Sequence, residues 1–411
     1  MTATAQSVQR TYLTLTLLTT FAASFIWGVN TLFLLDAGLS NTEAFAANAF
    51  FAVGQVIFEV PTGVVADTRG RRFSYLLGAI TLLASTLLYY LMWQVHAPFI
   101  GWALASILLG LGFTFFSGAT EAWLVDALNA TGFAGTLETI LGRAQTVSGA
   151  AMLVGSVAGG VVAQAADLGV PYLLRAALLG LTLVVAWRAM HDVGFTPRRG
   201  ANPVAEVRLV IRGSIDAGWR NPPVRALMLA APFTTGVSFF AFYASQPYLL
   251  QLYGDPEAYS VAGLAAAIFA GAQIAGGLLV PYARRLFRRR TDAVLFATIG
   301  TVITLAVIGW TSSFILALVL LAFWAMTFAV EGPLRQAFIN GIIPSEQRAT
   351  VLSFDSFMGS IGGAVAQPAL GRVADIYGYG PSYVVAGVLQ VFAIPFVLLA
   401  RRQGAPSDPV E

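Results

Sequence analysis

Apolar runs of about 20 residues, the length that crosses the hydrocarbon core of a bilayer as a helix, dominate this chain from end to end. The first six cover roughly residues 12–35, 44–66, 73–93, 99–125, 144–166 and 171–190. From Gly194 to Pro223 the pattern breaks into a proline-punctuated, arginine-rich stretch. Within it Val207, Ile211, Ile215 and Trp219 fall four residues apart, with Glu206, Arg212 and Asp216 off that face. This is the pattern of a short helix lying on a membrane surface. Six further runs follow, near residues 224–250, 258–281, 292–311, 314–340, 347–372 and 382–400. The expected fold is therefore an all-α membrane protein of twelve transmembrane helices, in two six-helix bundles at 1–193 and 224–411. The segment 194–223 forms the linker.

Composition agrees with the pattern. The 411 residues are 57% hydrophobic and 10% charged, whereas about a quarter of a soluble domain is charged. The net charge of +3 does not point to nucleic acid, because the basic residues are scattered over short inter-run loops. They report orientation. Arg10, Arg69, Arg71, Arg72, Arg143, the linker arginines, Arg284 to Arg290, Arg348, Arg401 and Arg402 all fall on one side. The opposite loops, near Asp36, His96, Asp167, Asp255 and Asp375, hold essentially none, and Arg175 and Arg372 approach that side only from within runs. By the positive-inside rule both termini and the linker are expected in the cytoplasm, with the protein multi-pass in the cell membrane. The polar N-terminus lacks a cleavage signature, so the first run is expected to be retained. Cysteine is absent, which removes thiol chemistry and cysteine metal sites. The two histidines, His96 and His191, belong to opposite faces and cannot cooperate, so neither an enzyme nor a metal site is expected.

The halves repeat. Phe51 to Gln55 returns as Phe269 to Gln273, each followed by an arginine-rich turn, and Ala166-Asp167 before Pro171-Tyr172 returns as Ala374-Asp375 before Pro381 and Tyr383. Glu121 and Arg143 have counterparts in Glu331 and Arg348. Six spans per copy leave both copies in the same orientation, related by an axis along the membrane normal, and a solute path is expected at the repeat interface.

Between the second and third runs stand Gly63, Asp67, Arg69, Gly70, Arg71 and Arg72, in the pattern Gly-x-x-x-Asp-x-x-Gly-Arg-Arg. With the six-plus-six count, this motif resembles the major facilitator superfamily over nearly the full chain. The resemblance implies a carrier whose motif makes charge contacts at the cytoplasmic helix ends, holding the halves together while the outer gate is open. Here Asp67 would face the start of the eleventh helix at Pro344-Ser345, where the helix dipole favours an anion, and Arg69 or Arg71 would pair with Asp126. Anchoring of the turn to lipid headgroups is the alternative. Arg285 stands where the second half would need a counterpart of Asp67, so the latch is expected to be one-sided. Drug/proton antiporters of the superfamily often carry Gly-Pro-x-x-Gly-Gly in helix five and an arginine in helix four. This chain has Gly155-Ser156 before Gly159-Gly160, and Ser106 at the arginine position. The helix-packing glycines Gly155, Gly159 and Gly160 are thus present without the proline.

Ionisable residues inside spans are expensive and mark function by default. Glu59, Glu121 and Asp355 are the candidates for proton handling, while Glu331 and Arg335, four residues apart, are expected to form an intrahelical salt bridge. The alternative is that all sit in structural pairs near the cytoplasmic gate. Trp27, Asn30, Thr31 and Gln55 in the first half, with Phe242, Ser245, Gln246, Gln273 and Trp324 in the second, are candidate cavity residues. Aromatic rings, amides and carboxylates suit amphipathic, neutral or cationic solutes. The expected activity is secondary transport by alternating access, namely proton-coupled efflux of such molecules, with uptake of a small nutrient as the alternative. The partners expected are a small-molecule substrate and the bilayer. A monomer with no cofactor beyond the coupling proton is expected.

Overall fold

The structure, a computed structural model, describes residues 4–117, 119–197, 205, 208, 212, 218–343 and 348–409. Among the described residues the regular structure is helical, apart from a single bridge between Arg289 and Pro409. In the first half, α1 (Ala5–Trp27) and α2 (Asn30–Asp36) meet at a 49° bend. They are followed by α3 (Asn41–Arg69), α4 (Arg71–Gln94), α5 (Phe99–Thr114), α6 (Ala119–Ala130), α7 (Leu137–Ala165) and α8 (Val170–Ala189). The second half holds α9 (Pro222–Tyr253), α10 (Tyr259–Leu286), α11 (Arg290–Trp310), α12 (Phe314–Asn340), α13 (Arg348–Tyr377), α14 (Tyr379–Val391) and α15 (Ala393–Arg402). Ten helical spans are long and apolar enough to cross a membrane, with α5 running on into α6 and α14 into α15. The bent pair α1 and α2 makes an eleventh. The 30-residue α13, with Asp355 and Gln367 buried along it, is long enough to cross as well but is less apolar than these eleven. The expected surface helix at Val207 to Trp219 falls almost wholly outside the described residues.

Lipid explains why these helices keep large apolar side chains on the outside. Leu286, Trp310 and Leu278 are 80%, 86% and 71% exposed, arrangements that water would penalise and hydrocarbon does not. Prolines stand inside helices, Pro61 in α3, Pro232 and Pro247 in α9, Pro333 in α12 and Pro368 in α13, as is more frequent in membrane helices than in soluble ones.

The chain forms two compact units. The first comprises Met1–Gly38, Phe50–Val207 and Tyr259–Ala267, and the second Leu39–Ala49, Arg208–Ala258 and Ile268–Glu411. The start of α3 thus belongs with the second unit, and the start of α10 with the first. In the first unit α1 lies directly on α7: a Cβ added to Gly159 would stand 2.0 Å from the Phe25 carbonyl oxygen, and one on Gly155 would meet the Ser24 hydroxyl. Gly160 makes the same kind of approach to Gly263 at the start of α10. Backbones this close need glycine, and they give dispersion contact where lipid supplies no hydrophobic drive between helices. The end of the unit that holds the start of α1 is packed by Leu15, Tyr75, Trp123 and Leu124, and the second unit by Val224, Met228, Phe338 and Val351.

Candidate functional site

The motif turn is built around Gly70, whose φ of 108° lies in the region that favours glycine. It ends α3 and starts α4 within one residue, bringing Asp67, Arg71 and Arg72 to one corner of the first unit. Arg71 Nη1 donates to Asp67 Oδ1 one helical turn earlier. Its Nε lies 3.7 Å from Asp126 Oδ2 on α6, and its guanidinium lies 5.7 Å from the centre of the Phe195 ring. Arg72 Nη2 donates to the Trp187 carbonyl at 2.6 Å. Arg69 is exposed. The expected contact of Asp67 with Pro344-Ser345 lies outside the described residues.

Asp192 belongs to none of the sequence motifs, yet it joins this corner. Its Oδ1 accepts the Arg72 backbone N–H at 2.8 Å, at the first turn of α4, where Gly70 has no side chain to cap the helix. A Cβ on Gly70 would lie 2.3 Å from Asp192 Oδ2. Trp123 Nε1 donates to the His191 carbonyl at 2.7 Å, pinning the same segment to α6. An acidic residue just past a span carries no periodic signal, so only the fold shows that it caps another helix.

Two cavities lie inside the units. In the first, Tyr12, Gln55, Phe113, Phe116, Ser117, Thr120 and Glu121 line about 530 Å³. Glu121 is exposed there, and Glu59, also exposed, accepts a hydrogen bond from Ser117 Oγ at 2.7 Å. In the second unit a cavity of about 370 Å³ is lined by Thr234, Thr235, Phe328, Glu331, Arg335, Gln336, Asp355 and Ser356, among others. The ion pair there differs from the expected one. Arg335 turns to Asp355 on α13, donating from Nη1 to Oδ2 and from Nη2 to Oδ1 at 2.6 Å, with Nη2 also on the Leu227 carbonyl at 2.9 Å. Glu331 is left 8% exposed, electrostatically coupled to Arg335 but outside ion-pair contact. The forked guanidinium matches a carboxylate presented end-on from a facing helix, whereas a residue four back on the same helix offers no such two-point geometry.

Of the nine candidate cavity residues, Gln55 lines the first-unit cavity. Thr31, Ser245, Gln246 and Trp324 are buried in helix packing, and Asn30 Oδ1 accepts the Tyr172 hydroxyl at 2.9 Å. Trp27, Phe242 and Gln273 are half-buried.

Helix count, paired cavities and the Gly63–Arg72 turn converge with the family comparison. The model described as Major Facilitator Superfamily matches residues 12–366 and, in a second match, 257–411. The chain belongs to this superfamily. No curated protein is significantly similar to it in sequence. Among solved structures, the nucleoside transporter NupG aligns with a TM-score of 0.76 at 12% identity, over 95% of this chain and 98% of that one. A bacterial homolog of the human lysosomal transporter Spinster aligns with a TM-score of 0.72 at 17% identity, over 99% of each chain. A D-xylose–proton symporter aligns with a TM-score of 0.70 at 17% identity, over 96% and 97%. At these identities the likeness establishes the major facilitator fold and leaves the solute to the site. The protein is a secondary transporter of the superfamily.

A second residue outside the sequence candidates acts within the second unit of this major facilitator fold. Asp375 Oδ1 accepts the Asn41 N–H at 2.8 Å, and Oδ2 accepts the Thr42 N–H at 3.0 Å and the Thr42 hydroxyl. Tyr379 donates its hydroxyl to Asn41 Oδ1. This carboxylate caps the first turn of α3. Partial burial pushes its pKa up, but the hydrogen bonds from Thr42 and Asn41 outweigh this and hold it below the ordinary aspartate value. Its repeat counterpart Asp167 instead closes its own turn, accepting from Gly169 N and Val170 N. The segment after Asp375 is longer than that after Asp167, and α13 continues to Tyr377, so the side chain is carried past its own turn.

Proposed function

We propose that this major facilitator protein is a proton-coupled exporter of amphipathic or cationic small molecules. Glu331 carries the reading. It is an acidic side chain at the wall of a cavity of about 370 Å³, and no described residue gives it a hydrogen bond. Its nearest cation is already committed to Asp355. An acid so placed inside a membrane protein is a functional group by default, and a proton is the simplest partner that neutralises it. Proton handling is therefore assigned to Glu331 in place of Asp355, with Glu59 and Glu121 at the first-unit cavity as the second station. Export of cationic amphipaths is favoured by the first-unit lining, where Tyr12, Phe113 and Phe116 surround Glu121. Rings and a carboxylate together attract a lipophilic cation.

The test is flux of tetraphenylphosphonium from proteoliposomes under imposed pH gradients. Acidifying the side opposite the solute accelerates its exit if the protein is an antiporter. Glu331→Gln should abolish that acceleration while leaving exchange of labelled for unlabelled solute intact. Exit that ignores the gradient in the wild type would refute proton coupling, and solute moving in the same direction as protons would make uptake the correct reading.

A further inference from the structure

We propose that Arg175 is the anchor of an anion site inside the first unit, one that takes a singly charged anion. The proposal is independent of proton coupling and of transport direction. Arg175 lies in the first half of α8 and is 3% exposed. Arginine stays charged and presents five N–H donors. Only Nε has a hydrogen-bond acceptor among the described residues, the Thr86 hydroxyl on α4 at 3.1 Å. None of the ion pairs among the described residues includes it. The acids at the same end of the unit are engaged elsewhere: Asp36 accepts from Trp93 Nε1 at 2.6 Å, and Asp167 closes the turn just before α8. Around the guanidinium stand Phe113, with its ring centre 5.9 Å away, and the tyrosines Tyr172 and Tyr89 within electrostatic reach. Aromatic faces soften the field of a buried cation but do not cancel its charge. An arginine buried in a membrane domain is a functional group by default, and with no acidic partner an anion from outside the chain is the charge that would complete it.

The same ring gives the route. Phe113 carries the guanidinium on one side of the packing and lines the cavity of about 530 Å³ with Gln55, Ser117 and Glu121. Phe113 thus touches both the cavity and Arg175, and rotation of its ring, a fast, local motion, would open one toward the other. The ligand chemistry is a compact monoanion, from either of two sources: a free halide or the carboxylate of a zwitterionic solute whose cationic end meets Glu121.

The experiment uses the purified full-length protein in nanodiscs, with gluconate as the background anion. Its thermal midpoint is followed against chloride, and separately against a zwitterionic amphipathic amino acid without chloride. The wild type should show a saturable rise in one or both arms. A rise with chloride alone assigns a free halide, and a rise with the zwitterion that chloride suppresses assigns the solute's carboxylate. Arg175→Gln should weaken the apparent affinity by at least about tenfold, the worth of one charge-assisted contact. Arg175→Lys should retain part of it, and Thr86→Val should keep binding while shifting its affinity. No saturable rise in the wild type in either arm overturns the proposal, whatever the variants do. So does an equal rise in wild type and Arg175→Gln.

Discussion

Replacing Asp355 by asparagine tests how the second-unit charges are wired. The Arg335 and Asp355 side chains are 15% and 9% exposed, and the carboxylate takes two guanidinium N–H groups. Removing one partner of a buried pair, and so leaving the other charge alone, costs about 3–5 kcal/mol. Here a substitute is at hand. Glu331 lies one turn before Arg335 on α12 and is already coupled to it electrostatically, so a rotamer change brings it onto the guanidinium as an i,i+4 pair. If that recovers roughly half of the loss, Asp355→Asn costs about 2 kcal/mol, and the same change in a Glu331→Gln background costs about 4 kcal/mol. Glu331→Gln alone should fall within about 1 kcal/mol of the wild type, because it breaks no hydrogen bond. The assay is chemical unfolding in detergent followed by circular dichroism, run as a double-mutant cycle. Additivity of the two changes to within about 0.5 kcal/mol would refute the wiring. The cycle has a transport counterpart: once Glu331 is drawn onto Arg335, Asp355→Asn should lose its response to a pH gradient.

Three further outcomes are expected. Gly70→Ala should destabilise the first unit by about 1–3 kcal/mol, since φ is positive there and the added Cβ meets Asp192; pairing it with Asp192→Ala should recover part of the loss in thermal unfolding, and full additivity would argue against the contact. Gly159→Leu should block the approach of α1 to α7 and lower the yield of folded monodisperse protein, whereas Gly142→Leu, with nothing within 4 Å of its Cβ position, should not. Because its folded pKa is depressed, Asp375 contributes stability that is present above its unfolded value of about 3.9 and is lost as pH falls through the lower folded value. Asp375→Asn should therefore lower the thermal midpoint at pH 7 and flatten the acid limb of the midpoint–pH profile, and an unchanged profile would show that the cap of α3 contributes nothing.

What the sequence determined by itself was everything governed by transfer of residues between water and hydrocarbon. Runs of about 20 apolar residues must become helices in a bilayer, because each backbone group has to be satisfied within its own segment. Number, length and order of the helices therefore follow from one-dimensional pattern, as does the family, through Gly63 to Arg72. Local backbone needs were legible too, since Gly155, Gly159 and Gly160 stand where α7 must let other backbones approach. What only the tertiary structure decided was the partner of each polar group. In the sequence the i,i+4 spacing favours Glu331 as the partner of Arg335, but the packing of α13 places Asp355 in the fork of the guanidinium. Asp167 and Asp375 occupy matching places in the repeat, yet one closes its own turn and the other caps α3. Asp192 and Arg175 lie outside any motif, and their roles depend on which helix end or ring the fold brings beside them. Hydrophobic burial acts on every residue of a run in sum and leaves a periodic trace. A hydrogen bond or ion pair depends on the relative rotation and depth of two helices to within about an ångström, and that leaves none.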